Sequence, residues 1–251
     1  MGHQLAFPMY AVNHADADAL RRAVQHLLAA RGLAVNDAPG VPETALLAHW
    51  QQPDLLLSQT CGYPLVTQLP DVQVVGCFHY AAPGCEGIHY RSVLVTREAD
   101  KHLTLADFRA RRAVCNSPDS QSGYNALRRL LAPVELRDYF AQVTFSGSHR
   151  QSLVNITRGE ADIAAIDCVT WALLQRHEPT LARGLTVIDR TPLTPGLPLI
   201  TARETPPEAL RTIREALSAL VTAPEYRAVC EASLIRGFSA VTRQAYAGLL
   251  A

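Results

Sequence analysis

Short apolar runs alternate along this chain with longer segments in which apolar positions recur at helical spacing. Residues 5–7 form a brief apolar run stopped by Pro8, and residues 14–31 place Leu20, Ala23, Val24, Leu27 and Leu28 on one helical face. A strand at 33–35, a helix at 45–50 and a strand at 55–57 follow, then a helix at 63–69 and a strand at 72–77. Residues 81–87 break the pattern with Pro, Gly and Cys. A second alternating set has strands at 92–96, 113–115, 143–145, 163–166 and 186–188, with helices beginning near Leu105, Ser122, His149 and Val169. A Pro-rich break at 191–198 precedes a strand at 199–201, and from Pro206 the pattern is helical only. Strands too apolar to be half exposed, interleaved with helices, predict an α/β protein with mainly parallel sheets covered on both faces.

The two breaks predict two lobes joined by two hinge crossings, residues 1–88 with 197–251 forming one and 89–196 the other. Such a clamp closes on a ligand by bending at its hinge. A single-sheet α/β domain fits the same periodicity.

Several polar signatures directly follow strands. In a parallel sheet the carboxyl ends share one edge, so groups placed there converge. Ser120, Gln121 and Ser122 follow one strand, Ser148 and His149 the next, and Asp167 a third. Hydroxyls and free N–H groups at a helix start hold small anions, although Ser120 and Ser122 also suit plain helix caps. Ser148 with Gln151 fits a capping box that puts His149 at the first helical position. Asp167 serves equally as a cap or as an acceptor for a ligand ammonium or hydroxyl. In the first half, Tyr10 follows the first strand and Ser58, Gln59 and Thr60 follow the third. Cys61 invites a nucleophile reading with His149 as base, against which stands an ordinary buried thiol.

Charge and composition narrow the class. Twenty-three basic residues balance twenty-three acidic ones, so no one-sided field draws nucleic acid or an anionic membrane. No apolar stretch reaches bilayer length, which predicts no membrane insertion. Six scattered cysteines without a CxxC pair suggest buried thiols, with a Cys77–Cys85 bridge as the alternative. Dinucleotide, nucleoside-triphosphate and zinc-protease motifs are missing, and the single lysine, Lys101, lies beside Asp100 in a poor place for a Schiff base. No cofactor and no metal are expected. The first ten residues lack the pattern of an export leader, which leaves a cytoplasmic protein or one whose leader has been removed.

Pro8-Met9-Tyr10, the stretch from Ser58 to Pro64, Tyr90 to Val95, Asp119 to Tyr124, Gly147-Ser148-His149 and Gly159 to Asp167 occur in an order that resembles the phosphate/phosphite/phosphonate substrate-binding proteins of ABC transporters, over nearly the whole chain. The resemblance implies a two-lobed type II periplasmic-binding fold and a phosphonate- or phosphate-like oxyanion held between the lobes. It implies phosphonate contacts from Ser120, Gln121, Ser122 and His149, an amine contact from Asp167, and first-lobe contacts from Tyr10 and around Ser58, Gln59, Thr60 and Cys61. A permease is the implied partner, and no chemistry is implied. Gln121 stands where the family usually carries a small hydroxyl residue, so an organic carboxylate or another phosphorylated metabolite competes as ligand. A cytoplasmic ligand sensor, or an enzyme using Cys61 or His149, are the alternatives on the same scaffold.

Overall fold

The structure, a computed structural model, describes residues 3–36, 41 and 45–250. It divides into two compact units: the chain up to Ala81 with Glu86–His89 and the chain from Pro195, and Ala82–Cys85 with Tyr90–Thr194. In chain order the strands are β1 (Gln4–Ala6), β2 (Leu55–Gln59), β3 (Gln73–Tyr80), β4 (His89–Tyr90), β5 (Ser92–Arg97) and β6 (Arg112–Cys115). There follow β7 (Gln142–Phe145), β8 (Ala164–Asp167), β9 (Leu185–Arg190), β10 (Thr194–Pro195), β11 (Pro198–Thr201) and β12 (Ile235–Ser239). In both units most strands run one way and helices flank the sheet, so the fold is α/β.

The first unit has a five-stranded sheet in the order β1-β2-β11-β3-β12. β1 and β2 are parallel, and β11 runs antiparallel to both β2 and β3. The helix His14–Ala29 begins where Asn13 Oδ1 accepts the Asp16 N–H at 3.1 Å. Its stripe of Leu20, Ala23, Val24, Leu27 and Leu28 is buried, as is the stripe Ile213, Ala216, Leu217 and Leu220 of the helix Pro207–Thr222, against which it packs. Trp50, Leu65, Ile200 and Tyr246 anchor a further cluster.

Three sequence expectations are corrected. Residues 33–35 are not a strand: the chain leaves the helix through Gly32 at φ +83, and only Val35 bridges to His3. Beyond Pro206 the chain is not purely helical, because β12 pairs antiparallel with β3. That strand is set by a distant partner and carries Gly237, where a Cβ would lie 2.8 Å from His79 Nδ1. Cys77 and Cys85 do not pair either. Cys77 Sγ faces the carbonyls of Leu197 and Ile88 at 3.5 and 3.6 Å and burial pushes its thiol up to about 12, whereas Cys85 Sγ lies 3.4 Å from Cys168 Sγ.

In the second unit β6 and β7 are parallel, and an Ala113–Ile163 bridge ties β6 in parallel to the start of β8. β5 runs antiparallel to both β8 and β9. Leu94, Phe108, Leu127, Phe140 and Ile163 fill the core beneath, and truncating a side chain such as the fully buried Leu127 to Ala would cost about 2–5 kcal/mol. Asp162 pins the entrance to β8. Its carboxylate takes Arg97 Nη2 at 2.7 Å and Arg112 Nη2 at 2.9 Å. Burial opposes its charge, but the hydrogen bonds from Arg112 and Arg97 hold the carboxyl well below the usual range.

Candidate functional site

β6, β7 and β8 end on one edge of the second unit's sheet, so the loops after them are neighbours. Those loops are also cross-linked: the Ser146 N–H donates to Cys115 O, and the Gly147 N–H to Asn116 O, both at 2.9 Å. The segment after β6 turns through Ser120, whose Oγ accepts the Gly123 N–H at 3.0 Å. Ser120 is thus the cap, and Ser122, the other candidate cap, is free to face elsewhere. A single π-helical turn, Gln121–Asn125, precedes the α-helix Ala126–Leu131. π-turns of this kind recur at functional sites because they re-aim side chains. A Cβ on Gly123 would fall inside the envelope of Asn116 Oδ1, so a larger residue here would have to displace the Asn116 side chain.

Gln121 is buried, and its Oε1 accepts from Asn125 Nδ2 at 2.8 Å. Arg128 Nη2 in turn donates to Asn125 Oδ1 at 2.7 Å. Ser122 Oγ meets His149 Nε2 at 2.8 Å. His149 opens the helix His149–Thr157, placed there by Ser148, whose Oγ accepts the Gln151 N–H at 3.1 Å. The same ring nitrogen lies 3.5 Å from Asp167 Oδ2. Asp167 caps the helix Cys168–His177 through Oδ1, which accepts the Val169 and Thr170 N–H groups at 3.0 and 2.8 Å, and its Oδ2 accepts from Thr170 Oγ1. Ser122, His149 and Asp167, from three separate loops, are therefore brought together, with Ser120 and Gln121 beside them on the same turn.

Burial lowers the His149 pKa, and the charge of Asp167 works in the other direction. The ring is neutral near pH 7. Its Nδ1 is buried and has no hydrogen-bond partner among the described residues. Ser122 and Asp167 both address Nε2, whereas a nucleophile relay engages the two ring nitrogens separately. The arrangement suits holding a polar group rather than relaying a proton.

In the first unit the candidates are more self-contained. Ser58 Oγ, on β2, pairs with His49 Nε2 at 3.0 Å, and burial lowers the His49 pKa against the pull of Asp54. Gln59 Nε2 donates to Tyr80 Oη at 2.9 Å, and Tyr10 packs edge-on against Tyr80 with centroids 5.0 Å apart. Thr60 is buried, its N–H donating to Pro198 O at 3.0 Å. Cys61 is a buried cysteine preceding the helix Gly62–Thr67.

Sequence reasoning missed Ser92, Asn125, His49 and Tyr80. Ser92 Oγ donates to Ser122 O at 2.7 Å and so fixes the backbone of the π-turn. Its role follows from the β5–β8 register, which no local pattern reveals. Asn125 was legible in principle, four residues after Gln121 on a helix.

A helix start rich in hydroxyl and amide groups, aimed with a histidine and a carboxylate at one sheet edge of an α/β unit, defines a small-ligand-binding protein. The family described as ABC transporter, phosphonate, periplasmic substrate-binding protein matches residues 48–246, and the chain belongs to it. That family consists of transporter binding proteins and not enzymes. Among solved structures, PhnD1 of Prochlorococcus marinus in complex with methylphosphonate superposes with a TM-score of 0.79 at 17% identity, covering 98% of this chain and 94% of that one. A binding-protein component of an ABC phosphonate transporter from Pseudomonas aeruginosa gives 0.79 at 17% identity, over 98% and 84% of the two chains. A Xanthomonas citri protein bound to ATP gives 0.74 at 13% identity, over 100% and 98%. No curated protein matches the chain. Among the described residues no helix is long and apolar enough to cross a membrane.

Proposed function

We propose that this chain captures a small oxyanion of the phosphonate or phosphate type for an ABC transporter permease, and that Ser120, Gln121, Ser122, His149 and Asp167 hold it. The observation that carries this reading is the meeting of Ser122 Oγ with His149 Nε2 at 2.8 Å, with Asp167 Oδ2 3.5 Å from that nitrogen. With the proton of neutral His149 on Nε2, the ring donates to Ser122 Oγ, and the Ser122 hydroxyl proton is left to donate to a ligand oxygen. Asp167, already satisfied as a cap, adds the negative charge that an aminophosphonate's ammonium needs. Tyr10, Thr60 and Cys61 belong to the proposal as first-unit contributors, to be weighed by the same titrations, whereas Ser58 and Gln59 are already paired with His49 and Tyr80 and are left out of it. The family's description supports a periplasmic location and delivery to a permease.

Titration calorimetry of the full chain with methylphosphonate, 2-aminoethylphosphonate, inorganic phosphate and acetate tests this. Saturable binding of a phosphonate or phosphate, with acetate at least tenfold weaker, is expected. Tighter binding of the carboxylate, or no heat from any phosphorus oxyanion at millimolar concentration, removes the assignment.

A further inference from the structure

Cys85 and Cys168 are the one thiol pair among the described residues with sulfurs in contact, at 3.4 Å. Two local features bring them together. Gly84, at φ +103, lets the segment Ala82–Cys85 lie against the start of the helix Cys168–His177, since a Cβ there would sit 3.3 Å from Cys168 Cβ and 3.2 Å from Arg91 Cγ. The Cys85 N–H closes a turn onto Ala82 O at 3.1 Å, and the Cys168 N–H donates to Arg91 O at 3.0 Å, so both backbones are held. A rotation of the side chains that shortens the approach by about 1.4 Å reaches bonding distance.

We propose that Cys85 and Cys168 form a disulfide that braces the segment Ala82–Cys85 against the helix start immediately after Asp167. Cys168 also differs from Cys77, Cys115 and Cys230 in readiness. The hydrogen bond from Cys85 lowers the Cys168 pKa, with burial opposing, while burial pushes Cys115 up to about 12. Cys85 is the more exposed of the pair and meets the oxidant first. Deprotonated Cys85 attacks one sulfur of a disulfide oxidant, giving a mixed disulfide and releasing one thiolate. Deprotonated Cys168 then attacks the Cys85 sulfur, the protein disulfide forms and the second thiolate leaves. Two electrons and two protons pass to the oxidant, which ends as two thiols. The pair encloses a separation of 83 residues, long enough for the cross-link to restrict the unfolded chain strongly.

The test treats the full chain with oxidised glutathione, alkylates it under denaturing conditions and maps its peptides, alongside thermal unfolding. A Cys85–Cys168 peptide, with Cys61, Cys77, Cys115 and Cys230 alkylated, is expected, and a melting midpoint raised by about 5 °C or more. Cys85→Ser should fold like the reduced protein and show no such rise; Cys168→Ala is the second variant, expected to leave Cys85 as a glutathione adduct. Six alkylated cysteines, a lasting adduct on wild-type Cys85, a bond to another cysteine, or a bond without a raised midpoint would overturn the proposal.

Discussion

The chain uses nearly the same words twice: Ser58-Gln59-Thr60-Cys61-Gly62-Tyr63 in the first unit and Ser120-Gln121-Ser122-Gly123-Tyr124 in the second. Their physical outcomes differ. Ser58 and Gln59 are still inside the ladder of β2, paired in register with Ile200 and Leu199. Their side chains are therefore committed to opposite faces of a sheet, and each finds an internal partner in His49 or Tyr80. Ser120, Gln121 and Ser122 come after β6 has ended, where a cap and a π-turn aim them together at the loop edge. The point at which the strand ends separates a self-satisfied polar cluster from a convergent one.

The largest break in this comparison should come at the two glycines. Gly123→Ala drives a methyl into Asn116 Oδ1, the end of a side chain that must then be displaced; a loss of about 2–3 kcal/mol of stability is expected. Gly62→Ala meets Leu249 Cδ1 at 2.6 Å and Tyr246 Cδ1 at 3.6 Å, a smaller overlap that should cost about 1 kcal/mol. Denaturant unfolding of the two variants checks the pair. Equal losses would mean that the two turns are under the same constraint.

Binding should separate the serines next. Ser122→Ala removes a hydroxyl proposed to face a charged ligand, worth about 1.5–3 kcal/mol, or roughly 10–100-fold in affinity for methylphosphonate. Ser58→Ala leaves His49 without its partner and should lower stability by about 1–2 kcal/mol while affinity stays within about threefold. A Ser58→Ala variant that loses affinity as Ser122→Ala does would place both signatures at the ligand.

How much of this was legible depended on the range of the interaction responsible. The helix His14–Ala29 and the strands β2, β5, β6 and β8 were readable because their burial patterns are local. So was the gathering of Ser122, His149 and Asp167, since three strands pointing the same way must end on one edge. β12 was not, because Ile235-Arg236-Gly237-Phe238 becomes a strand only against β3. Nor was the Cys85–Cys168 contact, which joins residues 83 apart through a glycine whose need for a positive φ has no periodic signature. The difference between Gln59 and Gln121 was hidden for a similar reason: a strand's last ladder residue is fixed by its neighbours, and β11 arrives from the far end of the chain.

The smallest effect, and the finest test of the comparison, is the pH dependence of the two buried histidines. Burial lowers the pKa of both His49 and His149. In the unfolded chain each takes a proton near pH 6.5, whereas the folded ring resists it. The stability they contribute is thus complete above about pH 6.5 and is lost as pH falls toward the folded values, at no more than about 1.4 kcal/mol per pH unit for each. Unfolding measured at about pH 7.5 and 5.5 should show this slope in the wild type, reduced in both His49→Gln and His149→Gln. For stability, then, the two histidines act in the same direction. They should part company in ligand titrations, where only His149→Gln is expected to weaken methylphosphonate binding, since His49 holds Ser58 inside the β2 ladder while His149 holds Ser122, the hydroxyl proposed to face the ligand. Equal affinity loss in both variants would mean that the first unit's cluster is not self-contained.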